Sequence, residues 1–192
     1  MSLTPAITGI ILAGGAGSRV GGQDKGLMTL QGQLMISHVS ERVRRQVHTL
    51  VISCNRNPEI YHRFSDRIVQ DLRPGFQGPL AGLEAAAASV STEYALVAPC
   101  DTPYLPHELA ARLWNALSKA SDPATIAYAH DGQRAHYLCA LLRATCLTSL
   151  EPFMNAGGRA VHEWFRQQGA VAVNFADMPS AFANHNRTIQ QA

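Results

Sequence analysis

The sequence predicts a three-layer α/β/α domain on a mainly parallel but mixed sheet. Three observations carry this. Short apolar runs alternate with longer stretches of helical period, the first run is apolar almost without interruption, and a polar turn late in the chain separates two runs that could pair as a hairpin. A strand apolar on both faces is buried on both, as a strand sandwiched between helices must be. The 192 residues, 46% hydrophobic and 16% charged, are enough for one substantial core, so residues 1–192 are read as a single domain.

Taken in order, residues 7–13 form the first strand and run into glycines. Over residues 34–47, Met35, Val39, Val43 and Val47 fall four apart with arginines between them, the spacing of an amphipathic helix. Residues 49–54 read as a second strand and 67–70 as a short third. Residues 80–90, largely alanine and leucine, form a helix. A fourth strand over 94–98 is stopped by Pro99. Leu109, Leu113 and Leu117 mark a helix over 106–119, with Pro106 suited to its first turn. Residues 125–130 and 138–143 flank the turn Asp131-Gly132-Gln133 and make the antiparallel hairpin. Helices over 146–154 and 160–168 precede a last strand over 171–175.

Composition excludes several classes of function. Sixteen Lys and Arg against 14 Asp and Glu give a net charge of +2 with no block of like charge, which argues against nucleic acid as a partner. Arg42, Arg44 and Arg45 sit in an amphipathic segment and read as a solvated helix face. No signal-peptide pattern opens the chain and no apolar run approaches the ~20 residues of a bilayer span, so a cytoplasmic protein with no membrane partner is expected. Cys54, Cys100, Cys139 and Cys146 include no C-x-x-C pair and read as reduced thiols. His107-Glu108 and His162-Glu163 begin like a zinc-protease helix, but neither has a second histidine four residues on. No dedicated metal cage is expected.

Sheets of this kind bind ligands beyond the carboxyl ends of their strands, near the point where strand order reverses. The polar residues that follow the strands are therefore the candidates: 14–25, 53–56, Asp71 and 100–102. The stretch from Ile11 to Met28 holds six glycines yet fits neither common phosphate-binding pattern. A P-loop needs G-x-x-x-x-G-K-[ST], whereas Lys25 lies between Asp24 and Gly26. A dinucleotide loop needs a third glycine where Val20 stands. Gly14, Gly15 and Gly17 permit close backbone approach, and Arg19 and Lys25 bring charge to a spread-out polyphosphate. The alternative is that the glycines only turn the chain and the cations are solvated. Asp101, between Pro99-Cys100 and Thr102-Pro103, suits Mg²⁺, which needs few protein carboxylates, or else caps the following helix. Asp71 is either a turn residue or an acceptor for a nucleoside.

These residues together resemble the molybdenum cofactor guanylyltransferases over nearly the whole chain. The carriers are Leu12-Ala13-Gly14-Gly15, Arg19, Gly21-Gly22, Asp24-Lys25-Gly26-Leu27, Gly78-Pro79-Leu80-Ala81-Gly82 and Pro99-Cys100-Asp101-Thr102-Pro103. The resemblance implies a Rossmann-like nucleotidyltransferase fold, with the nucleotide in the N-terminal half and molybdopterin toward the C-terminal half. It implies transfer of GMP from GTP to the terminal phosphate of molybdenum-loaded molybdopterin, with Mg²⁺ required and pyrophosphate released. It assigns Leu12, Ala13, Gly14 and Gly15 to guanine and ribose, Lys25 to the phosphates, Asp71 to the nucleoside and Asp101 to GTP and the metal. Ser53 stands where the family usually has Asn, with Asn55 as the alternative for that contact. Gly22, Gly78, Gly82, Arg159, Asn184 and Asn186 fall on the molybdopterin side. The last two belong to Phe182-Ala183-Asn184-His185-Asn186, after which Arg187-Thr188-Ile189 replaces the family's T-P-E and implies a shortened final helix. Tyr137 replaces a common Pro, and Val20 a Met. Apo-molybdoenzymes and other cofactor-biosynthesis proteins are the further partners the resemblance implies.

The chemistry fits independently. Attack of a phosphate oxygen on the α-phosphorus needs alignment and charge neutralisation, which Arg19, Lys25, loop amides and metal-bound Asp101 supply without a protein nucleophile. Two other readings use the same residues. One is a cytidylyltransferase acting on molybdopterin, an isoprenoid or a sugar phosphate, and the other is a non-catalytic nucleotide-binding adaptor for molybdoenzymes.

Overall fold

The computed structural model describes residues 5–15, 23–120 and 124–185. Strand β1 (Ile7–Leu12) is followed, after a 3₁₀ turn at Lys25–Leu27, by a small hairpin of β2 (Thr29–Leu30) and β3 (Gln33–Leu34) and then by α1 (Met35–Arg44). Next come β4 (Thr49–Ser53), a single helical turn α2 (Pro58–Tyr61), β5 (Arg67–Val69), α3 (Pro79–Ala87), β6 (Tyr94–Pro99) and α4 (Leu109–Lys119). The chain continues through β7 (Ile126–His130), β8 (Ala135–Arg143), α5 (Leu150–Asn155), α6 (Val161–Gln167) and β9 (Ala170–Asn174).

Seven strands make one sheet in the order β5-β4-β1-β6-β8-β7-β9. The first four are parallel, β8 runs antiparallel to β6 and β7, and β9 pairs parallel with β7, so the sheet is mixed as expected. From β1 the chain works outward to β5, then crosses to the other side of β1 as β6. Strand order therefore reverses between β1 and β6, which opens a crevice at their carboxyl ends.

Side chains of β1 alternate between two cores. Ile7 and Ile11 pack with Ile36, Val39 and Val43 of α1 and Leu109, Leu113 and Leu117 of α4. Ile10 and Leu12 face the other way, toward Leu80 and Leu83 of α3 and the group Leu150, Met154, Trp164 and Phe165 of α5 and α6. Helices thus cover both faces, which is the three-layer arrangement. Among the described residues no helix is long and apolar enough to cross a membrane.

The helices are shorter than their apolar periodicity predicts, for local reasons. α1 stops at Arg44 because the Gln46 side chain takes over its end: Nε2 donates to the carbonyls of Arg42 and Pro106 at 3.0 Å each, and Oε1 accepts the Ala110 amide. Val47 still packs on the core, but from beyond the helix. The stretch predicted as a helix over 146–154 opens instead as a 3₁₀ segment, Ala144–Ser149, where Thr148 and Ser149 hydroxyls bond carbonyls three residues back. β8 starts at Ala135, earlier than expected, because Asp131 closes the hairpin turn by accepting the amides of Gln133 and Arg134 at 2.8 Å.

Packing of α1 on β1 depends on Gly9, where an added Cβ would lie 3.0 Å from Leu50 Cδ1 and Val43 Cγ1 and 3.1 Å from Val47 Cγ2. Gly9→Val is expected to lower unfolding free energy in urea by about 1–3 kcal/mol through overpacking. An unchanged midpoint would show that α1 sits off the sheet at this point.

Candidate active site

A cavity of about 780 Å³ lies at the carboxyl ends of β1, β4, β5 and β6. One end is lined by Leu12, Ala13, Gly14, Gly15, Ser53 and Asp71, and the first turn of α3 adds Gly78, Pro79 and Gly82. Lys25 and Asp101 stand along its length, and His136, Tyr137, Val161 and Asn184 form the other end. The loops after four different strands and the start of β8 thus converge, although they are remote in sequence. Arg19, Gly22 and Asn186 lie outside the described residues.

The sequence Asp24-Lys25-Gly26 is explained by what surrounds it. Asp24 accepts hydrogen bonds from the fully buried Tyr61 hydroxyl and from Asn57 Nδ2, the latter at 3.0 Å. Both partners come from the region of α2, where Asn57 holds a left-handed φ of 51°. Tyr61 reaches Asp24 by passing over Gly26, at which any Cβ would collide with the Tyr61 hydroxyl oxygen. With its neighbours anchored in this way, Lys25 presents Nζ 3.1 Å from Asp101 Oδ2. Asp101 side-chain exposure is only 10% against 28% for Lys25, so the carboxylate is the recessed member and the ammonium the accessible one.

Asp101 is placed by the end of β6. The Cys100 amide donates to the Leu12 carbonyl at 3.1 Å, the last bond joining β6 to β1, and the Asp101 carbonyl accepts the His185 amide at 3.0 Å. Thr102 Oγ1 donates to Asn184 Oδ1 at 3.4 Å, which draws the C-terminal segment onto the same crevice. Asp101 Oδ1 has no hydrogen-bond partner among the described residues.

At the opposite end, Asn55 is a brace rather than part of the wall. Its Nδ2 donates to Asp71 Oδ2 at 2.8 Å and lies 3.5 Å from the Gly14 carbonyl, while its Oδ1 accepts the Asp71 amide at 2.9 Å. Ser53 does line the cavity, and its Oγ is the one buried side-chain polar atom without a partner among the described residues. An unpaired buried hydroxyl costs about 1–3 kcal/mol unless something supplies the partner. Gly82 makes room for it, since a Cβ there would sit 2.6 Å from Ser53 Oγ and 3.2 Å from Leu12 Cδ2. Gly82 therefore packs beside Leu12 and Ser53, and it lines the same cavity as Asn184. A Cβ added at Gly15 would meet nothing within 4 Å among the described residues, so protein packing there does not require that glycine. Burial pushes the Asp71 carboxyl above its ordinary range, with the Asn55 hydrogen bond opposing and Glu84 adding to the rise.

The segment between β5 and α3 is held by two arginines. Arg73 donates to both carboxylate oxygens of Glu84 at 2.7 Å each. Arg159 donates from Nε to Gln77 Oε1 at 2.8 Å, and from Nη1 to the carbonyls of Met154 and Gly158. Arg159 braces this loop and is not among the residues lining the cavity. Gly78, at φ 83°, turns the loop into α3 and puts Pro79 in the first helical turn.

All four cysteines are free and buried, as expected of reduced core thiols. Burial raises the thiols, Cys54 to about 11 and Cys146 to about 12, and the cavity-lining Cys100 and Cys139 still further, so none supplies a thiolate. Among the described residues no cluster of three His, Cys, Asp or Glu side chains could hold a metal by itself. Sequence reasoning missed Asn57 and Tyr61, whose only signal was the Asp24-x-Gly26 frame they lock. It also missed His136, which the hairpin turn brings within 2.7 Å of Asp131.

Residues 9–181 match the family described as the MobA-like NTP transferase domain. A molybdenum cofactor guanylyltransferase of Shewanella sp. (strain MR-4) is 42% identical over 185 residues, covering 96% of this chain and 93% of its own. One from Shewanella halifaxensis is 38% identical over 189 residues, covering 98% and 94%. In fold, the chain is similar to molybdopterin-guanine dinucleotide biosynthesis protein A of Archaeoglobus fulgidus, with TM-score 0.73, 22% identity and 93% and 92% coverage. It is also similar to 2-C-methyl-D-erythritol 4-phosphate cytidylyltransferase of Thermus thermophilus, with TM-score 0.64, 11% identity and 86% and 87% coverage.

Gly26→Ala is expected to destabilise by about 2 kcal/mol, because Tyr61 must give up its hydrogen bond to the Asp24 carboxylate. In a Tyr61→Phe background the same substitution should cost at least ~1 kcal/mol less, as two changes at one contact are coupled. Additive urea denaturation results for the double variant would show that the two residues do not compete for this space.

Proposed function

The chain belongs to the MobA-like NTP transferase family, and within it we propose that this protein transfers GMP from GTP to the terminal phosphate of molybdenum-loaded molybdopterin, releasing pyrophosphate. One observation carries the reading: the Lys25–Asp101 pair stands along a single cavity with Ser53 and Asp71 at one end and His136 and Asn184 at the other. That arrangement suits two substrates meeting at a charged midpoint. The near-full-length similarity to molybdenum cofactor guanylyltransferases supports the choice of substrates.

In this reading Leu12 to Gly15 approach the nucleoside through backbone, with Gly15 leaving open space for it. Ser53 Oγ gains the partner it lacks. Asp71, held by Asn55, accepts from the guanine N1 and N2 donors. Lys25, the more exposed partner of the pair, exchanges Asp101 for phosphate oxygens. Arg19 and Gly22, between Gly15 and Lys25 in the sequence, and Asn186, two residues after Asn184, keep the roles that the family resemblance gives them.

The residues present fit Mg²⁺. Asp101 is recessed in the cavity wall and keeps Oδ1 free of protein partners among the described residues, and one carboxylate suffices for an ion that also takes phosphate oxygens and water. When bound, the ion would neutralise charge on the triphosphate. The protein itself aligns the two phosphates and supplies positive charge, which is most of what phosphoryl-type transfer requires. No thiolate is available for a covalent route. On the same reading the reaction takes place in the cytoplasm, with the product passed on to apo-molybdoenzymes.

Purified protein with Mg²⁺, molybdenum-loaded molybdopterin and each of the four nucleoside triphosphates should release pyrophosphate and form nucleotide-linked pterin with GTP alone. Preference for CTP would overturn the base assignment. Asp101→Ala should keep its thermal transition and lose at least about a hundredfold in turnover. Acidity offers a separate check. The Asp71 carboxyl is raised, so protonation begins above the usual carboxylate range, and GTP affinity by calorimetry should fall as pH drops toward that value. Asp71→Asn should lose this component, and an unaltered pH profile in that variant would remove Asp71 from base recognition.

A further inference from the structure

The far wall of the cavity holds a histidine to which the reaction as described assigns no chemical step. His136 lies near the start of β8, beyond the last β6–β8 pair, Val97–Ala140, and past an irregularity in β8, and it lines the same cavity as Asp101. Its Nε2 is 2.7 Å from Asp131 Oδ2, and its ring stacks on Phe182 with centroids 4.8 Å apart and planes 24° from parallel. Two contacts therefore fix the ring, one along its edge and one on its face.

Asp131 is itself immobilised. Oδ1 accepts the Gln133 and Arg134 amides at 2.8 Å each, and Arg134 Nε is 3.6 Å from Oδ2. The hydrogen bonds from His136 and the two amides hold the Asp131 carboxyl far below the usual range. An ionised carboxylate only accepts, so Nε2 must carry the hydrogen it shares with Asp131. Nδ1 has no hydrogen-bond partner among the described residues, and His136 lines the cavity. A ring tied at Nε2, stacked on one face and open at Nδ1 is an arrangement that orients a base toward a ligand.

We propose that His136 Nδ1 contacts the terminal phosphate of the acceptor and shares its proton during attack, with Asp131 and Phe182 as the residues that position it. This rests on the guanylyltransfer reading above. For an acceptor arriving as the phosphate monoanion, a bond forms between its attacking oxygen and the α-phosphorus, the bond from that phosphorus to the pyrophosphate oxygen breaks, and the monoanion's proton passes to Nδ1. Asp131 then faces the imidazolium. An acceptor arriving as the dianion meets the same contact with the proton already on Nδ1.

Two substitutions separate this from a structural role. His136→Gln keeps an amide near the Nε2 position, within reach of Asp131, but has nothing at Nδ1, whereas His136→Asn keeps a polar atom near Nδ1 and gives up Asp131. With acceptor varied at saturating GTP and Mg²⁺, His136→Gln and His136→Ala should lose roughly ten- to hundredfold in kcat/KM for the acceptor. His136→Asn should retain more activity than either, and calorimetric Kd for GTP should stay within about twofold in all three. His136→Gln matching wild type, or outperforming His136→Asn, overturns the inference while leaving the function standing. Wild type that forms no nucleotide-linked pterin overturns both. Because a variant can fail to fold, the wild-type protein gives an independent readout: the ¹⁵N resonance of His136 Nδ1 should move when acceptor is titrated in, and a resonance that does not move overturns the contact.

Discussion

The constraint on which the site depends is the anchoring of Lys25 between two residues held against Tyr61. Asp24 is gripped by Tyr61 and Asn57, and Gly26 exists as glycine because the Tyr61 hydroxyl occupies the space of its Cβ. The resulting ion pair with Asp101 joins the loop after β1 to the end of β6 across the point where strand order reverses. Its value is geometric. It sets two opposite charges at a fixed place in the cavity, the carboxylate recessed and the ammonium accessible.

The remainder of the cavity is built by braces set behind its wall. Asn55 holds Asp71 beside Gly14, Arg73 and Arg159 hold the loop that leads to Gly78, and Asp131 with Phe182 holds His136. Asp71 and His136 line the cavity, whereas Asn55, Asp131 and Arg159 do not and hold their neighbours from behind. Such a division keeps the site rigid without filling it. It also joins segments remote in sequence: Gly82 packs on Ser53 and Leu12, while Asn184 reaches back to Thr102.

Much of the fold was legible in the sequence because burial on both faces leaves a direct mark. The apolar run of β1 and the four-residue spacing of α1 and α4 each report which surfaces are covered, and the polar turn at Asp131 reports the hairpin that makes the sheet mixed. Helix ends were less legible. They are set by individual side chains such as Gln46 and Ser149 that bond carbonyls in place of the continuing backbone, and apolar spacing carries no record of that. The hairpin at Thr29–Leu34 and the turn at Pro58–Tyr61 are too short for periodicity to register.

For the site, the sequence by itself determined the chemical inventory: a glycine-rich loop with Lys25, a carboxylate after each of two strands, and small residues at Gly78 and Gly82. These follow from local demands, since only glycine allows the close approaches and only the ends of strands are free to carry charge into a crevice. Tertiary structure decided which of them share the cavity. It placed Ser53 in the wall and Asn55 behind it, although the two stand close together on the same segment, and it turned Arg159 toward backbone carbonyls. It also brought Tyr61 to Asp24, and His136 to Asp131, in the wall of the cavity that Asp101 lines. The physical reason is that a side chain's role is fixed by its nearest partner in space, and for these residues that partner is set by strand order, α3 packing and a hairpin turn rather than by sequence spacing.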